Sequence, residues 1–298
     1  MNSFTFQGEL LKASCAKQAF RPTIRQMAKP VACIVLPTFN EAENIPAVLS
    51  GIFSQADAIP SHELHVLVVD DNSPDGTAER VHEAMQHFPH LHLITGEKNG
   101  LGEAYKRGIT HAIKTLQPLL ILQMDADLQH DPAVLPRMIG LANDGYDVVV
   151  GSRFAPGGAI PGLPGHRKLI SLAGTRLVRW FGGIPPIRDC TSGYRVIRAD
   201  LIPHCDLEHL STRGYSFQSS LLCELLRNGA RLIETPIVFS GRAHGESKLS
   251  FLDQWEFVVN LFRLRFVKAA RDRAVRHYRR SAEDRAPLNE KAHSKRNI

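Results

Sequence analysis

Two aspartates one residue apart, Asp125 and Asp127 in MDADLQHDP (124–132), follow the apolar run LLILQM (119–124). In an extended segment residues i and i+2 point the same way, so both carboxylates face one side. Gln129 follows two residues on. Carboxylates and an amide are hard oxygen donors suited to Mg²⁺ or Mn²⁺, and a diphosphate would supply the remaining ligands. A D-x-D tripeptide is common by chance. One at the end of a buried strand, among oxygen donors only, is far more specific.

Three further clusters follow apolar runs. VVDDNSPDGTA (68–78) sets Asp70 and Asp71 side by side before an SPDG turn with Asp75 and Gly76 at the bend. Adjacent carboxylates at a buried strand end are unfavourable unless cations or hydrogen-bond donors face them. Turn-capping carboxylates explain this pair about as well as ligand binding does. In LPTFNEAENI (36–45), Asn40 is placed to cap a helix and Glu41 to sit in its first turn. Taken alone, that cluster is better read as routine helix stabilisation. NGLGEAYKRG (99–108) is a Gly-rich turn that departs from G-x-G-x-x-G at Tyr105, so it is a weak phosphate signal. Positive groups come later: Arg153 in GSRF (151–154), Arg167, Arg195, and Arg242 and Lys248 in FSGRAHGESKLS (239–250). Glycines 241 and 245 suit that last segment to a mobile lid whose cations reach phosphate oxygens.

The elements that must position these residues alternate. Strands are predicted at 31–36, 65–69, 91–95, 119–124 and 147–150, with helices at 41–54, 76–87, 102–116 and 131–143 between them. This alternation predicts a mostly parallel sheet with helices on both faces. Such sheets bind ligands at the carboxyl ends of their strands, where the acids fall. From 151 to 250 the chain is loop-rich, with helices predicted at 168–181 and 214–228 and a strand at 234–239. It reads as a cap on the same domain. The divisions are a disordered arm (1–28), the main domain (29–250), and a C-terminal amphipathic helix with a basic tail (251–298).

Bulk properties narrow the function classes. The 298 residues carry a net charge of +6. Residues 268–298 hold ten Lys or Arg against four Asp or Glu, so the basic excess lies in the tail. Five cysteines, none at C-x-x-C spacing, argue against a disulfide framework and a cysteine zinc site. A reducing cytoplasm follows. The fourteen histidines show no H-E-x-x-H pattern and read as surface or packing residues. No run of eighteen apolar residues marks a transmembrane helix.

Together PTFNE, VVDDNSPDGT, NGLGEA, DADLQHDP, GSRF, CTSGYR (190–195) and FSGRAHGESK resemble the family-two glycosyltransferases of GT-A fold. Within them the resemblance is to the dolichyl- or polyprenyl-phosphate mannose synthases, in a short form without transmembrane helices. It implies a GT-A, Rossmann-like domain with a loop-rich acceptor half. Pro37, Phe39, Glu41, Val69 and Asp71 would cradle the nucleoside, Phe39 standing where tyrosine is usual. Asp125, Ala126 and Asp127 would hold the nucleotide-sugar. Asp127 and Gln129, with Asp125 in support, would bind Mg²⁺ or Mn²⁺. Arg242 and Lys248 would reach the donor diphosphate, and Arg153, Arg167 and Ser171 the acceptor phosphate. Asp127, Arg153, Arg242 and Lys248 would carry catalysis.

The implied reaction is inverting transfer of a hexose, mannose from GDP-mannose first, to a polyprenyl phosphate. A UDP-hexose donor is the near alternative, and a non-enzymatic α/β binding module with a basic tail the distant one. A lipid acceptor implies a peripheral place on the cytoplasmic face of a membrane, a separate membrane-anchoring protein being one route to it. Residues 168–183 and the helix bearing Trp255, Phe262 and Phe266 are candidate contacts. No nucleic-acid partner is expected.

Overall fold

The structure is a computed structural model, which describes residues 28–162, 165–183, 187–208, 210 and 216–240. The β-branched runs form strands β1 (Val31–Thr38), β2 (Glu63–Asp70), β3 (Leu91–Thr95), β4 (Leu120–Gln123) and β5 (Val148–Ser152). They are followed by β6 (Arg195–Arg198) and β7 (Leu232–Pro236). The order across one seven-stranded sheet is β3-β2-β1-β4-β6-β5-β7. All pairings are parallel except those of β6, which runs antiparallel to β4 and β5.

The two faces separate as the period of two requires. Cys33 and Val35 of β1 face one apolar cluster, while Ala32, Ile34 and Leu36 face the other. Helices α1 (Ile45–Phe53), α2 (Thr77–Met85) and α4 (Leu135–Asn143) cover the second cluster. Helices α3 (Leu101–Thr115), α5 (Gly165–Gly182) and α6 (Ser216–Arg227) contribute to the first. Apolar positions of α3, such as Ala104, Tyr105, Ile109 and Ala112, recur at helical spacing and are buried. α3 lies very close to the sheet. A Cβ on Gly108 would sit 2.5 Å from a methyl of Val35 and 2.7 Å from one of Val69. Only a glycine permits that approach, and it brings Tyr105 and Arg107 to the strand ends.

Several boundaries differ from expectation. α1 starts at Ile45, not 41, because Asn40 adopts a left-handed φ of 57° and its N–H bonds Ser73 Oγ. Asn40 is therefore a turn residue rather than the cap. Helix 131–143 begins as a 3₁₀ turn, Pro132–Val134, whose cap Asp131 accepts from Ala133 N. β7 spans 232–236 rather than 234–239. β6 was not expected: it is four residues long and holds a fully buried arginine. It places the supposed cap inside the same sheet.

Candidate active site

β2 and β4 flank β1 in parallel, about 10 Å apart across two strand spacings, so their carboxyl ends point to the same rim. Asp70 ends β2 and Asp71 follows it, while Asp125 lies just after β4. The acids from distant stretches thus lie along one rim of the sheet.

The loop after β2 is held by its own carboxylates. Asp70 is fully buried and accepts from Thr38 Oγ1 (2.9 Å), Ser73 N (2.8 Å) and Ser73 Oγ (2.6 Å). Asp75 accepts from Ala42 N and from Thr77 N and Oγ1. Burial alone would push the Asp75 carboxyl up, but these bonds hold it below the usual carboxylate range. Glu41 N donates to Thr77 Oγ1, and Glu41 accepts from Asn44 Nδ2. The loops after β1 and β2 are therefore zipped together, and the turn-capping account suits Asp70 and Asp75.

Asp71 differs. It is 6% exposed and takes a 2.6 Å bond from Arg107 Nη2 of α3. Burial raises its pKa despite the opposing bond and charge of Arg107. Phe39 lies under Lys98 Nζ, 3.4 Å from the ring centre. Pro37 and Val69 are buried neighbours across the β1–β2 register. Pro37, Phe39, Glu41, Val69 and Asp71 thus share the end of one strand pair.

Around D-x-D the backbone is bent, not extended, with Leu128 at φ 63°. The same-side argument from an extended segment therefore does not apply. Both carboxylates nonetheless act on one group: Asp125 and Asp127 each disfavour ionisation of Tyr105, whose pKa burial already raises. Tyr105 Oη lies 3.2 Å from Asp125 Oδ1 and 3.3 Å from the Met124 carbonyl. Asp127 accepts from Gln129 N at 3.1 Å, and Ala126 is buried in the core. Gln129 Nε2 donates to the Ser240 carbonyl (2.9 Å), which fixes the start of the FSGRAHGESK segment beside D-x-D.

His130 Nδ1 accepts Asp125 N–H at 3.1 Å and lies 3.8 Å from Asp125 Oδ2. Burial lowers its pKa to about 4, so the ring is neutral and the second contact is not an ion pair. It stacks on Tyr194.

Arg153 is held by Asp189 through Nε and Nη2, each at 2.7 Å, with Thr191 Oγ1 also on Nη2. Asp189 is fully buried. Burial would raise its pKa, but Arg153 lowers it, and Asp189 raises that of Arg153. Asp125 also attracts Arg153, which sets this arginine near the D-x-D. Ser171 is half-buried on α5, the helix that also contains Arg167. Arg242 and Lys248 lie outside the described residues, as does the helix with Trp255. Arg195, counted among the positive groups, lies beneath the site, where its charge acts on Tyr105 and Asp189. It is fully buried in β6 and bonds the Cys190 and Gln218 carbonyls.

Tyr105, Arg107, Lys98, His130 and Asp189 were missed. The one signal for them was the rule that buried acids require donors. It says partners exist but not where they lie in the chain.

A divalent ion fits the D-x-D. Two carboxylates at one strand end favour a cation, and oxygen donors favour a hard one. Asp125 and Asp127 are too few for an all-protein cage, so substrate oxygens and water would complete the shell.

A mostly parallel sheet with acids at the ends of β2 and β4 is the arrangement expected of a nucleotide-sugar transferase. Residues 33–204 match the family described as Glycosyl transferase family 2, and the chain belongs to that family. It is 39% identical over 230 residues to an undecaprenyl-phosphate mannosyltransferase of Micrococcus luteus, covering 77% of this chain and 91% of that one. It is 35% identical over 232 residues to a polyprenol monophosphomannose synthase of Mycolicibacterium smegmatis, covering 77% and 83%. Among solved structures, it is similar to the mannosyltransferase PcManGT from Pyrobaculum calidifontis in complex with GDP-Man and Mn²⁺. That likeness has a TM-score of 0.54 and 19% identity over 88% of this chain and 72% of that one. Among the described residues no helix is long and apolar enough to cross a membrane.

Proposed function

We propose that this chain transfers mannose from GDP-mannose to a polyprenyl phosphate, with inversion at the anomeric carbon. The observation that carries the proposal is that Asp71, Asp125 and Asp127 follow neighbouring parallel strands at one sheet rim. The mannosyltransferase relatives named above support the sugar and the lipid.

Pro37, Phe39, Glu41, Val69 and Asp71 bind the nucleoside, with Lys98 and Arg107 setting the local charge. Asp125, Asp127 and Gln129 hold Mg²⁺ or Mn²⁺. When bound, the ion stabilises negative charge on the departing diphosphate. Arg242 and Lys248 are assigned to the same diphosphate from the sequence. Their segment follows Ser240 in sequence, and the Ser240 carbonyl accepts from Gln129 Nε2.

Arg153 serves the acceptor phosphate. Asp189 and Thr191 fix its Nε and Nη2, leaving Nη1 for a phosphate oxygen; Arg167 and Ser171 supply a second contact from α5. A phosphate monoester has a second pKa of about 6 and is already ionised near neutrality. No side chain therefore has to remove a proton, and the residues act by positioning and charge neutralisation. Leu169, Leu177 and Trp180 on α5 are exposed, Trp180 by 73%, with Arg176 and Arg179 beside them. Apolar and basic groups together suit an anionic membrane surface, which supports a peripheral approach to the lipid.

The test is incubation with GDP-mannose and with UDP-glucose, each with polyprenyl phosphate, with and without EDTA. Metal-dependent mannolipid from GDP-mannose supports the proposal. Glucolipid from UDP-glucose alone, or product of equal yield in EDTA, contradicts it.

A further inference from the structure

The histidines expected to be surface or packing residues gather at the opposite end of the sheet. Glu63 and His65 are two apart on β2 and share a face. His90 directly precedes β3, and its carbonyl accepts Val66 N–H at 2.9 Å, which sets it beside His65. Glu63 Oε1 lies 3.1 Å from His90 Nε2 and 3.6 Å from His65 Nε2. The three ligand atoms all fall within 4.8 Å of one another, and no other group of three His, Cys, Asp or Glu among the described residues does so. Ligands about 2.05 Å from a tetrahedral zinc ion stand about 3.3 Å apart, so two of the three edges already match.

His65 carries a second observation. Its Nδ1 is 3.0 Å from His92 Nε2, and the two rings stack. Its Nε2 is buried and has no hydrogen-bond partner among the described residues. With Nδ1–H given to His92, that Nε2 turns a lone pair toward the Glu63 oxygen, an arrangement that wants a cation between them. A ligating histidine nearly always donates its other N–H in this way.

We propose that Glu63, His65 and His90 form a second divalent-metal site, of the zinc class, with His92 orienting His65 and a fourth position open to water. Asp71 is six residues on from His65, about 20 Å along the strand direction, so the site is independent of the rim that bears the D-x-D. Imidazole ligands favour Zn²⁺ at this end, while the oxygen donors of the D-x-D favour Mg²⁺ or Mn²⁺. The ion ties the edge strand β3 to β2.

The experiment uses the full chain, stripped of metal, with excess Mg²⁺ present to satisfy the D-x-D. Zn²⁺ binding is followed by calorimetry and by Tm, and Co²⁺ by its visible absorption. Wild type and Asp127→Ala should each bind one Zn²⁺, gain Tm, and give the intense Co²⁺ spectrum of a four-coordinate site. His90→Ala, at an exposed side chain, and Glu63→Gln should lose affinity at least tenfold and lose the Tm gain, with mannosyl transfer in Mg²⁺ unchanged. Unaltered Zn²⁺ binding in both variants overturns the proposal. So does loss of binding in Asp127→Ala, or no binding by wild type at millimolar Zn²⁺.

Discussion

The two halves of the molecule handle charge in different ways. In the first, acids stand at the ends of parallel strands, positioned by hydroxyls, backbone N–H groups and one partly exposed arginine, Arg107. In the second, charges are buried and cancelled in place, as in Arg153 with Asp189. The first arrangement keeps negative charge at a rim where a ligand's cation can use it. The second fixes geometry, because a buried ion pair adds little net stability but is costly to break. At D-x-D a substitution removes charge from the rim; at Asp189 it first removes the support of Arg153.

Asp127→Ala is expected to lower kcat by about 10³-fold at saturating Mn²⁺, the scale of losing one key electrostatic group. Its thermal unfolding should stay near wild type. Asp189→Ala should do the reverse first, destabilising the fold by about 3–5 kcal/mol through an uncompensated buried Arg153. A Tm collapse in the first variant with none in the second would break the comparison.

His130 sharpens it through pH. Its folded pKa is depressed to about 4, against about 6.5 unfolded. Between these values the unfolded chain binds more protons, so stability falls as pH drops from 6.5 to 4, by about 3 kcal/mol. Asp189, held low by Arg153, adds its loss only below about pH 4. Asp71, raised by burial, acts in the opposite sense just above the ordinary carboxylate pKa. His130→Phe should flatten the fall between pH 6.5 and 4 in denaturant titrations.

Gly108→Ala forces α3 away from Val35 and Val69, with an expected cost of about 1–3 kcal/mol. Because Tyr105 and Arg107 move with it, KM for GDP-mannose should rise as well. Tyr105→Phe is the mildest, about 1 kcal/mol in stability for a lost hydroxyl bond, with kcat reduced less than tenfold.

The parallel strands were legible because buried β-branched runs are local signals, and Leu91–Thr95 matched to the residue. The acids were legible because they sit where those runs stop. β6 was not, since its four residues include an arginine whose burial depends on the Cys190 carbonyl five residues back and the Gln218 carbonyl 23 residues on. Asn40 misled for a related reason: Ser73, 33 residues away, decides its turn. Likewise Arg153 could be named as a site cation from sequence, but its grip by Asp189 could not. Long-range partners set these residues, and periodicity carries no record of them.

The most direct test of a single donor site across β1, β2 and β4 is calorimetric titration of GDP with and without Mn²⁺. The account predicts one Mn²⁺-dependent site per chain, abolished by Asp127→Ala and weakened at least tenfold by Asp71→Ala, with both variants folded by circular dichroism. GDP affinity indifferent to Mn²⁺ and to both substitutions would contradict it.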